Sequence, residues 1–184
     1  YVGASDPRKN LKSLLHAYSQ LPIHLSNYKL VLAGKLLQSE IELIDSWIDL
    51  YKIDKTKLIR IGYVSDNDLV CLYRQCSLFV FPSLHEGFGL PILEAMSCGA
   101  PVIGSNCTSI PEIIGIKEAM FDPTNVLSIR DLIIKSLMDK QFIEDLLANS
   151  KIQSRKFSWM ITAQKAVNAC NKVCKNSTTK SEYS

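Results

Sequence analysis

Two glutamates near the middle of the chain, Glu86 and Glu94, frame a loop that could bind a ligand carrying both phosphates and hydroxyls. Gly87 and Gly89 lie between them, and glycines allow a sharp turn and a close approach of a ligand to the backbone. A helix is predicted to begin at Leu90, and a helix N-terminus offers free N–H groups and a positive dipole end to an anion. The carboxylates would repel a plain phosphate. A phosphate flanked by hydroxyls could instead be bound by the helix N-terminus, with each glutamate accepting hydrogen bonds from the hydroxyls. A nucleoside diphosphate sugar is such a ligand.

The elements that must position this loop can be predicted from the pattern of apolar residues. The run at 78–82 is typical of a short buried strand. The following helix is predicted over residues 90–98, and Pro91 suits its first turn because an N–H there would lack a partner anyway. Strands are also predicted at residues 1–4, 28–33, 58–61, 101–104 and 119–121. Further helices are predicted at residues 10–20, 39–51, 65–76, 109–114, 126–138, 141–156 and 158–175, with Asn10 or Asp6 available to cap the first.

This regular alternation predicts an α/β fold, a doubly wound Rossmann-like parallel sheet of about six strands with helices on both faces. Ligands of such sheets bind beyond the carboxyl ends of the strands. Arg8 and Lys9 follow the first predicted strand, Lys35 follows the second, Tyr63 follows the third, and the Glu86 loop follows the fourth. We therefore expect all of them at one edge of the sheet.

Length and composition indicate one ordinary globular domain. The 184 residues suit a single domain, predicted over residues 1–175, with a polar tail at 176–184 that we expect to be disordered. The content is 47% hydrophobic and 21% charged, and the formal net charge of +3 gives no indication of nucleic-acid binding. The chain begins inside a predicted strand and without Met, so we expect a piece of a longer protein.

The cysteines and histidines do not predict a metal site. The six cysteines include no Cys-x-x-Cys pair, and the three histidines show no zinc-binding spacing with them. Most of the cysteines fall in apolar patterns, which is typical of buried thiols in a reducing compartment. No apolar run approaches the roughly 20 residues needed to span a bilayer. We expect a cytoplasmic location, with any contact at the inner face of a membrane made by a part of the protein outside this chain.

The stretch Pro-Ser-Leu-His-Glu-Gly-Phe-Gly-Leu-Pro-Ile-Leu-Glu-Ala-Met-Ser-Cys-Gly-Ala-Pro-Val-Ile at 82–103 is similar to the family 4 group of retaining glycosyltransferases of the GT-B fold. Glu86 and Glu94 match the E-x7-E motif of that family. The resemblance covers about residues 1–175 and only the C-terminal, donor-binding half of such enzymes. It implies that a hexose is moved from a UDP- or GDP-sugar to a saccharide or lipid-linked acceptor. Bacterial surface-polysaccharide assembly is the setting that the family suggests.

The resemblance also implies the parts that the chain would need. The donor nucleotide sugar is a substrate, and no metal or other cofactor is expected. The acceptor domain would precede this chain, so the isolated chain should bind the donor weakly and should not catalyse transfer.

The resemblance assigns roles to the residues of the loop. Glu86 would accept hydrogen bonds from hydroxyls of the donor sugar, and Glu94 would accept them from the ribose, since a carboxylate suits a vicinal diol. The backbone of Gly87, Phe88, Gly89 and Leu90 would hold sugar hydroxyls and the distal phosphate, and the Phe88 backbone should matter more than its ring.

Positive charge near the diphosphate is expected from the first loop. Lys9 matches the lysine of the family, but the family arginine five residues earlier is replaced by Ala4. The hypothesis is that Arg8 reaches the diphosphate instead. Lys35 could contact phosphates or solvent, and Tyr63 could lie near the nucleotide base or in the core.

Three other interpretations remain open or are disfavoured by the residues. The triplet Asp66-Asn67-Asp68 matches the Asp-x-Asp pattern of metal-dependent glycosyltransferases, but Ser65 and Asp68 form a capping box, which favours a structural role. A non-catalytic nucleotide-sugar-binding or scaffold module is the main alternative, favoured by Ala4 and disfavoured by the glutamate motif and Lys9. A flavodoxin-like or receiver domain would need a flavin loop or an acidic phosphorylation cluster, and the sequence has neither.

Overall fold

The computed structural model describes residues 1–3 and 6–178, with side chains as far as Val173. Within those residues it contains five β-strands, which are β1 (Leu30–Ala33), β2 (Leu58–Gly62), β3 (Phe79–Phe81), β4 (Val102–Ser105) and β5 (Met120–Phe121). The helices are α1 (Leu11–Ser19), α2 (Gln38–Leu50), α3 (Asp66–Gln75), α4 (Leu90–Ser97), α5 (Ile110–Ile114), α6 (Val126–Met138), α7 (Lys140–Ser154) and α8 (Trp159–Thr178). The strand–helix alternation predicted from the sequence is therefore confirmed, with most boundaries shifted by one or two residues.

All strand pairs are parallel. β1 pairs with β2 from Leu30 opposite Leu58, and β3, β4 and β5 pair in that order. Strands joined through helices run parallel because the chain must cross back over the sheet between them. The doubly wound α/β class is confirmed.

The prediction of about six strands was wrong, because the first predicted strand is reduced to a bridge. Val2 forms one isolated parallel bridge with Ala33, and the Gly3 N–H donates to the Ala33 carbonyl at 2.9 Å. Gly3 has φ +146°, which lies outside the β region. A Cβ on Gly34 would lie 2.4 Å from the Gly3 carbonyl oxygen, which shows how closely the two backbones pass.

The strands form two parallel sheets, β1–β2 and β3–β4–β5, where the sequence predicted a single one. The core is formed by these two sheets and by helices that pack in pairs. Helix α1 packs against α6, and α4 packs against α7. Large side chains that are fully buried include Leu14, Leu15, Ile44, Phe81, Ile92, Ile103, Ile110, Ile114, Phe121 and Ile129. Two buried polar groups of α7 fix that helix, because Ser150 Oγ donates to the Ala100 carbonyl and Asn149 Nδ2 donates to the Ile114 carbonyl, both at 2.8 Å.

The predicted helix starts at Ser65 and Ser158 are confirmed. Ser65 Oγ accepts the Asp68 N–H at 3.2 Å at the start of α3, so the 66–68 triplet begins a helix as expected. Ser158 Oγ accepts the Ile161 N–H at 3.1 Å at the start of α8. Asn10 precedes α1 but its side chain makes no capping bond, because the residue is left-handed (φ +55°) and its amide points elsewhere.

The chain divides into two compact units, residues 1–154 and a second unit that begins at Arg155 and contains α8. Helix α8 continues to Thr178, three residues beyond its predicted end. The rest of the predicted tail, 179–184, lies outside the described residues. Within the part of the chain that the structure describes, no helix is long and apolar enough to cross a membrane.

Candidate active site

The loops that follow the strands meet at one edge of the larger unit, as the sequence predicted. The Gly34 N–H after β1 donates to the Gly62 carbonyl at the end of β2, at 2.9 Å. The Leu84 N–H after β3 donates to the Arg8 carbonyl at 2.7 Å, which joins the β3 loop to the first loop. Because these hydrogen bonds link loops from different strands, the carboxyl ends of the strands form one shared surface.

Lys9 and Glu86 form the central ion pair of that surface. Lys9 Nζ lies 2.7 Å from Glu86 Oε1, and the side chains are only 27% and 11% exposed. The same ammonium lies 5.7 Å from the centre of the Phe81 ring, within the range of a cation–π contact. An ion pair with restricted access to water is held more firmly than an exposed one. The structure thus joins two predicted site residues that are far apart in the sequence.

Glu94 is held by a buried tyrosine. The Tyr73 hydroxyl donates a hydrogen bond to Glu94 Oε2 at 3.2 Å, and Glu94 itself is exposed on α4. Burial raises the pKa of Tyr73 above its usual range, and the neighbouring Glu94 charge raises it further. Tyr73 therefore remains a hydrogen-bond donor at all ordinary pH values. One oxygen of Glu94 is oriented by the protein, and the carboxylate keeps capacity to accept further bonds.

The loop between the two glutamates ends in a glycine that starts helix α4. Gly89 is buried and left-handed (φ +103°), and a Cβ there would lie 3.3 Å from Ile113 Cδ1. A Cβ on Gly87 would meet nothing within 4 Å, so the backbone there is open to a ligand. Leu90 and Phe88 are 45% and 42% exposed. Pro91 has no N–H and the Ile92 N–H donates to the Gly89 carbonyl at 3.0 Å, so Leu90 carries the first helical amide that could face an anion.

Arg8 lies outside the Lys9–Glu86 pair. Its side chain is 68% exposed, and Nη2 lies 2.8 Å from Asp6 Oδ2. The hydrogen bonds from the Arg8 side chain and backbone lower the pKa of Asp6 to about 2. The structure thus gives Arg8 a local partner, and its contact with a diphosphate stays a prediction. Ala4, at the position of the family arginine, lies outside the described residues.

Lys35 and Tyr63 occupy the loops after β1 and β2. Lys35 is exposed. Tyr63 is 79% exposed and is not a core residue. With Val64 and Tyr73 it lines a cavity of about 740 Å³. The same cavity is lined by Tyr73, whose hydroxyl bonds Glu94.

Three residues that contact the predicted site loops were missed by the sequence analysis, namely Asn10, Thr108 and Ser109. Asn10 Nδ2 donates to the carbonyls of Pro82 at 3.1 Å and Pro123 at 2.8 Å. Thr108 and Ser109 bond to the backbone of the Glu86 loop. A polar residue next to Lys9 or in the loop after β4 was only a weak indication of a role in the site, since Asn and Thr are common in loops.

Within the described part of the chain, no group of three His, Cys, Asp or Glu side chains is placed to hold a metal ion.

The loops after the parallel strands bring a lysine, two glutamates and the start of a helix to one edge, an arrangement that suits a ligand carrying phosphates and hydroxyls. Residues 1–155 match the protein family described as "Glycosyl transferases group 1", and the chain belongs to that family. The predicted resemblance is confirmed.

The chain is similar to curated bacterial mannosyltransferases. It is 47% identical over 173 residues to the serotype-specific mannosyltransferase WbdA of Escherichia coli, covering 94% of this chain and 21% of that protein. It is 42% identical over 171 residues to the O-antigen chain mannosyltransferase B of Escherichia coli, covering 92% of this chain and 44% of that protein. The chain thus spans less than half the length of these relatives.

Solved structures show the same fold. The sucrose-phosphate synthase of Thermosynechococcus elongatus superposes with a TM-score of 0.81 at 24% identity, over 95% of this chain and 45% of that one. Anabaena HepE, solved in complex with UDP and glucose, superposes with a TM-score of 0.79 at 23% identity, over 93% of this chain and 48% of that one. The predicted GT-B type of doubly wound domain is confirmed.

Proposed function

We propose that this chain binds the nucleotide-sugar donor of a retaining glycosyltransferase. The observation that carries the proposal is the Lys9–Glu86 pair, 2.7 Å apart beside the N-terminus of α4. It places a cation, a carboxylate and the Leu90 amide where one end of a sugar diphosphate could contact all of them. The location beyond the carboxyl ends of the strands is the one that ligands of such sheets use.

The ion pair suits a donor that carries both phosphates and hydroxyls. In the absence of ligand, Lys9 and Glu86 neutralise each other. A bound diphosphate would attract Lys9, and a sugar hydroxyl would donate to the oxygen of Glu86 that Lys9 leaves. Each half-buried charge would thus exchange one partner for another, which avoids the cost of a buried charge without a partner.

The chemical step would depend on fixed positive charge. Breaking the bond between the anomeric carbon and the diphosphate leaves negative charge on the departing phosphate. Once Lys9 has exchanged Glu86 for the diphosphate, Lys9 and the Leu90 amide would stabilise that charge without further rearrangement, as donors held in place before the reaction do. We propose that they do so without a metal ion.

The nucleoside would be held by the other glutamate. Tyr73 occupies one lone pair of Glu94 Oε2, and an ionised carboxylate has about four acceptor sites. Two adjacent ribose hydroxyls could therefore bind the remaining sites. Tyr63 and the cavity behind it would accommodate the base.

Mannose is the hexose that the relatives favour. The relatives described above, at 47% and 42% identity, are named mannosyltransferases, and one is named for the O-antigen chain. We propose mannosyl transfer from GDP-mannose, or less favourably hexosyl transfer from a UDP-sugar, to a saccharide acceptor of a surface polysaccharide. The acceptor would be bound by a domain outside this chain, in a cytoplasmic enzyme.

The test is calorimetric titration of the chain with GDP and UDP, each with and without magnesium. We expect one diphosphate to bind with the same affinity in both conditions. Glu94→Ala should weaken that binding at least about tenfold, because hydrogen bonds to a charged group contribute roughly 1.5–3 kcal/mol each. Glu144→Ala, which removes an exposed glutamate of α7, is the matched control and should bind as the native chain does.

Two results would contradict the proposal. Binding that requires magnesium would reject the metal-independent site. Binding that survives Glu94→Ala unchanged would place the nucleotide elsewhere. If neither diphosphate binds, the protein that contains this chain should be assayed for transfer, and an inactive protein would favour the scaffold alternative.

A further inference from the structure

We infer that Thr108 and Ser109, in the loop between β4 and α5, are positioning residues for sugar recognition by Glu86. The inference rests on the proposed function of the Glu86 loop. Neither residue belongs to the motif that identifies the family. Both contact the backbone of that loop from the neighbouring strand.

Thr108 accepts a hydrogen bond from the Glu86 amide, and Thr108 itself has an unfavourable backbone conformation. Its Oγ1 accepts the Glu86 N–H at 3.1 Å. Thr108 has φ +53°, and a β-branched residue is a genuine outlier in the left-handed region. Such conformations persist where surrounding contacts fix them, and they concentrate at functional sites. The strained turn therefore places the hydroxyl against the first residue of the loop.

Ser109 holds the carbonyls of the same loop. Its Oγ lies 2.8 Å from the Phe88 carbonyl oxygen and 3.2 Å from the Glu86 carbonyl oxygen. A hydroxyl has one proton, so the two carbonyls share it and the shorter contact receives the larger part. Thr108 and Ser109 together bind both ends of the tripeptide from Glu86 to Phe88. These bonds restrict rotation of the backbone on either side of Gly87.

Before the donor binds, the carboxylate of Glu86 is held as well, because Lys9 of the first loop binds Oε1. After Lys9 moves to the diphosphate, the bond from the Glu86 N–H to Thr108 would remain. Gly87, between the bound groups, has open space beside its Cα. The contacts thus fix Glu86 and leave the neighbouring backbone accessible to a ligand.

These contacts should affect sugar recognition selectively. Glu94 is held by a separate contact, the hydrogen bond from Tyr73 on α3. Loss of the Thr108 hydroxyl would therefore loosen Glu86 and leave the nucleoside contacts of Glu94 unchanged. A residue with a merely structural role would weaken both parts of the site equally.

The experiment compares two ligands in three variants of the chain. GDP and GDP-mannose, or UDP and UDP-glucose if the uridine nucleotide is the one that binds, are titrated into Thr108→Val, Thr108→Ser and Thr56→Val. Valine keeps the branched shape without the acceptor, and serine restores the acceptor. Thr56→Val removes a hydroxyl that bonds Asp54 in the turn before β2, at the other end of the strands. The exchange rate of the Glu86 amide is measured by NMR in the same proteins.

In Thr108→Val we expect the nucleotide sugar to bind about five- to tenfold more weakly and the diphosphate to bind within about twofold of the native affinity, since one hydrogen bond is lost. The Glu86 amide should exchange about fivefold faster or more. Thr108→Ser should restore most of the nucleotide-sugar affinity and most of the slow exchange of the Glu86 amide. Thr56→Val should change neither the affinity nor the exchange rate.

The failures are distinguishable. Equal weakening of both ligands in Thr108→Val, or an unchanged Glu86 exchange rate, overturns the positioning role while the proposed function stands. A native chain that binds neither the diphosphate nor the nucleotide sugar overturns the proposed function, and the sugar-recognition role of Thr108 is overturned with it.

Discussion

The side-chain amide of Asn10 connects three loops, and its loss should destabilise the chain measurably. Asn10 is buried, and its Nδ2 donates to the carbonyls of Pro82 after β3 and Pro123 after β5. Both prolines are buried as well. A buried carbonyl without a partner costs roughly 1–3 kcal/mol. Asn10→Gly, which keeps the left-handed conformation and removes the amide, should therefore lower the free energy of unfolding by about 2–4 kcal/mol.

Asn10→Ala should be worse than Asn10→Gly. Asn10 has φ +55°, and asparagine tolerates this region better than alanine does. The additional cost is about 1–2 kcal/mol, which gives a total of about 3–6 kcal/mol for alanine. Since a typical domain is stable by only 5–15 kcal/mol, as an order of magnitude, this loss is a large share of the total.

The assay is urea unfolding of the native chain and the two variants, followed by far-UV circular dichroism. Asn125→Ala is the control, because Asn125 accepts the N–H groups of Leu127 and Ser128 at the exposed start of α6. Loss of that cap should cost about 1 kcal/mol. The reasoning is refuted if Asn10→Gly is within about 0.5 kcal/mol of the native chain, since both carbonyls would then be satisfied without the amide. Equal stability of the glycine and alanine variants would refute the backbone argument alone.

Three further predictions concern other parts of the larger unit. Tyr73→Phe should weaken binding of the nucleoside diphosphate about three- to tenfold through loss of the hydrogen bond to Glu94, without changing the ratio of nucleotide-sugar to diphosphate affinity; unchanged affinity in calorimetry would contradict it. Gly104→Ala should destabilise the chain by about 1–3 kcal/mol in urea, because the new Cβ would lie 2.8 Å from Ile114 Cδ1; an unmoved midpoint would contradict it. The pKa of Asp6 is lowered to about 2, so the stability that its ionised form contributes should be present above pH ~4 and lost as the pH falls toward about 2; a carboxyl titration midpoint near 4 by NMR would contradict this.

The sequence was sufficient for the fold because its signals are local. The order of apolar runs and helix starts predicted a parallel doubly wound sheet, and the strand–loop–helix motif predicted which loop carries the two glutamates. The first strand was predicted too long, since an apolar run does not reveal that Val2 forms only an isolated bridge or that Gly3 has φ +146°. Local spacing also left the pairing of Arg8 with Asp6 unnoticed, although the two are only two residues apart.

The contacts that fix the site could not be predicted in the same way. The Lys9–Glu86 pair joins residues 77 positions apart, and Glu86 bonds to Thr108 at a separation of 22. Such contacts depend on how neighbouring strands align, and a one-residue shift between β3 and β4 would separate the bonded groups. A single Thr or Asn in the sequence does not indicate which group it will bond, because these residue types are also common in solvent-exposed loops.

The two glutamates of the motif are held by different parts of the fold. Glu94 is oriented by Tyr73, from the helix immediately before β3, whereas Glu86 is oriented by Lys9 from the first loop and by Thr108 from the loop after β4. Substitutions in those two loops can therefore change the geometry at Glu86 without moving the carboxylate at Glu94. If Glu86 binds the sugar and Glu94 the ribose, the fold allows sugar preference to change while nucleotide binding is retained.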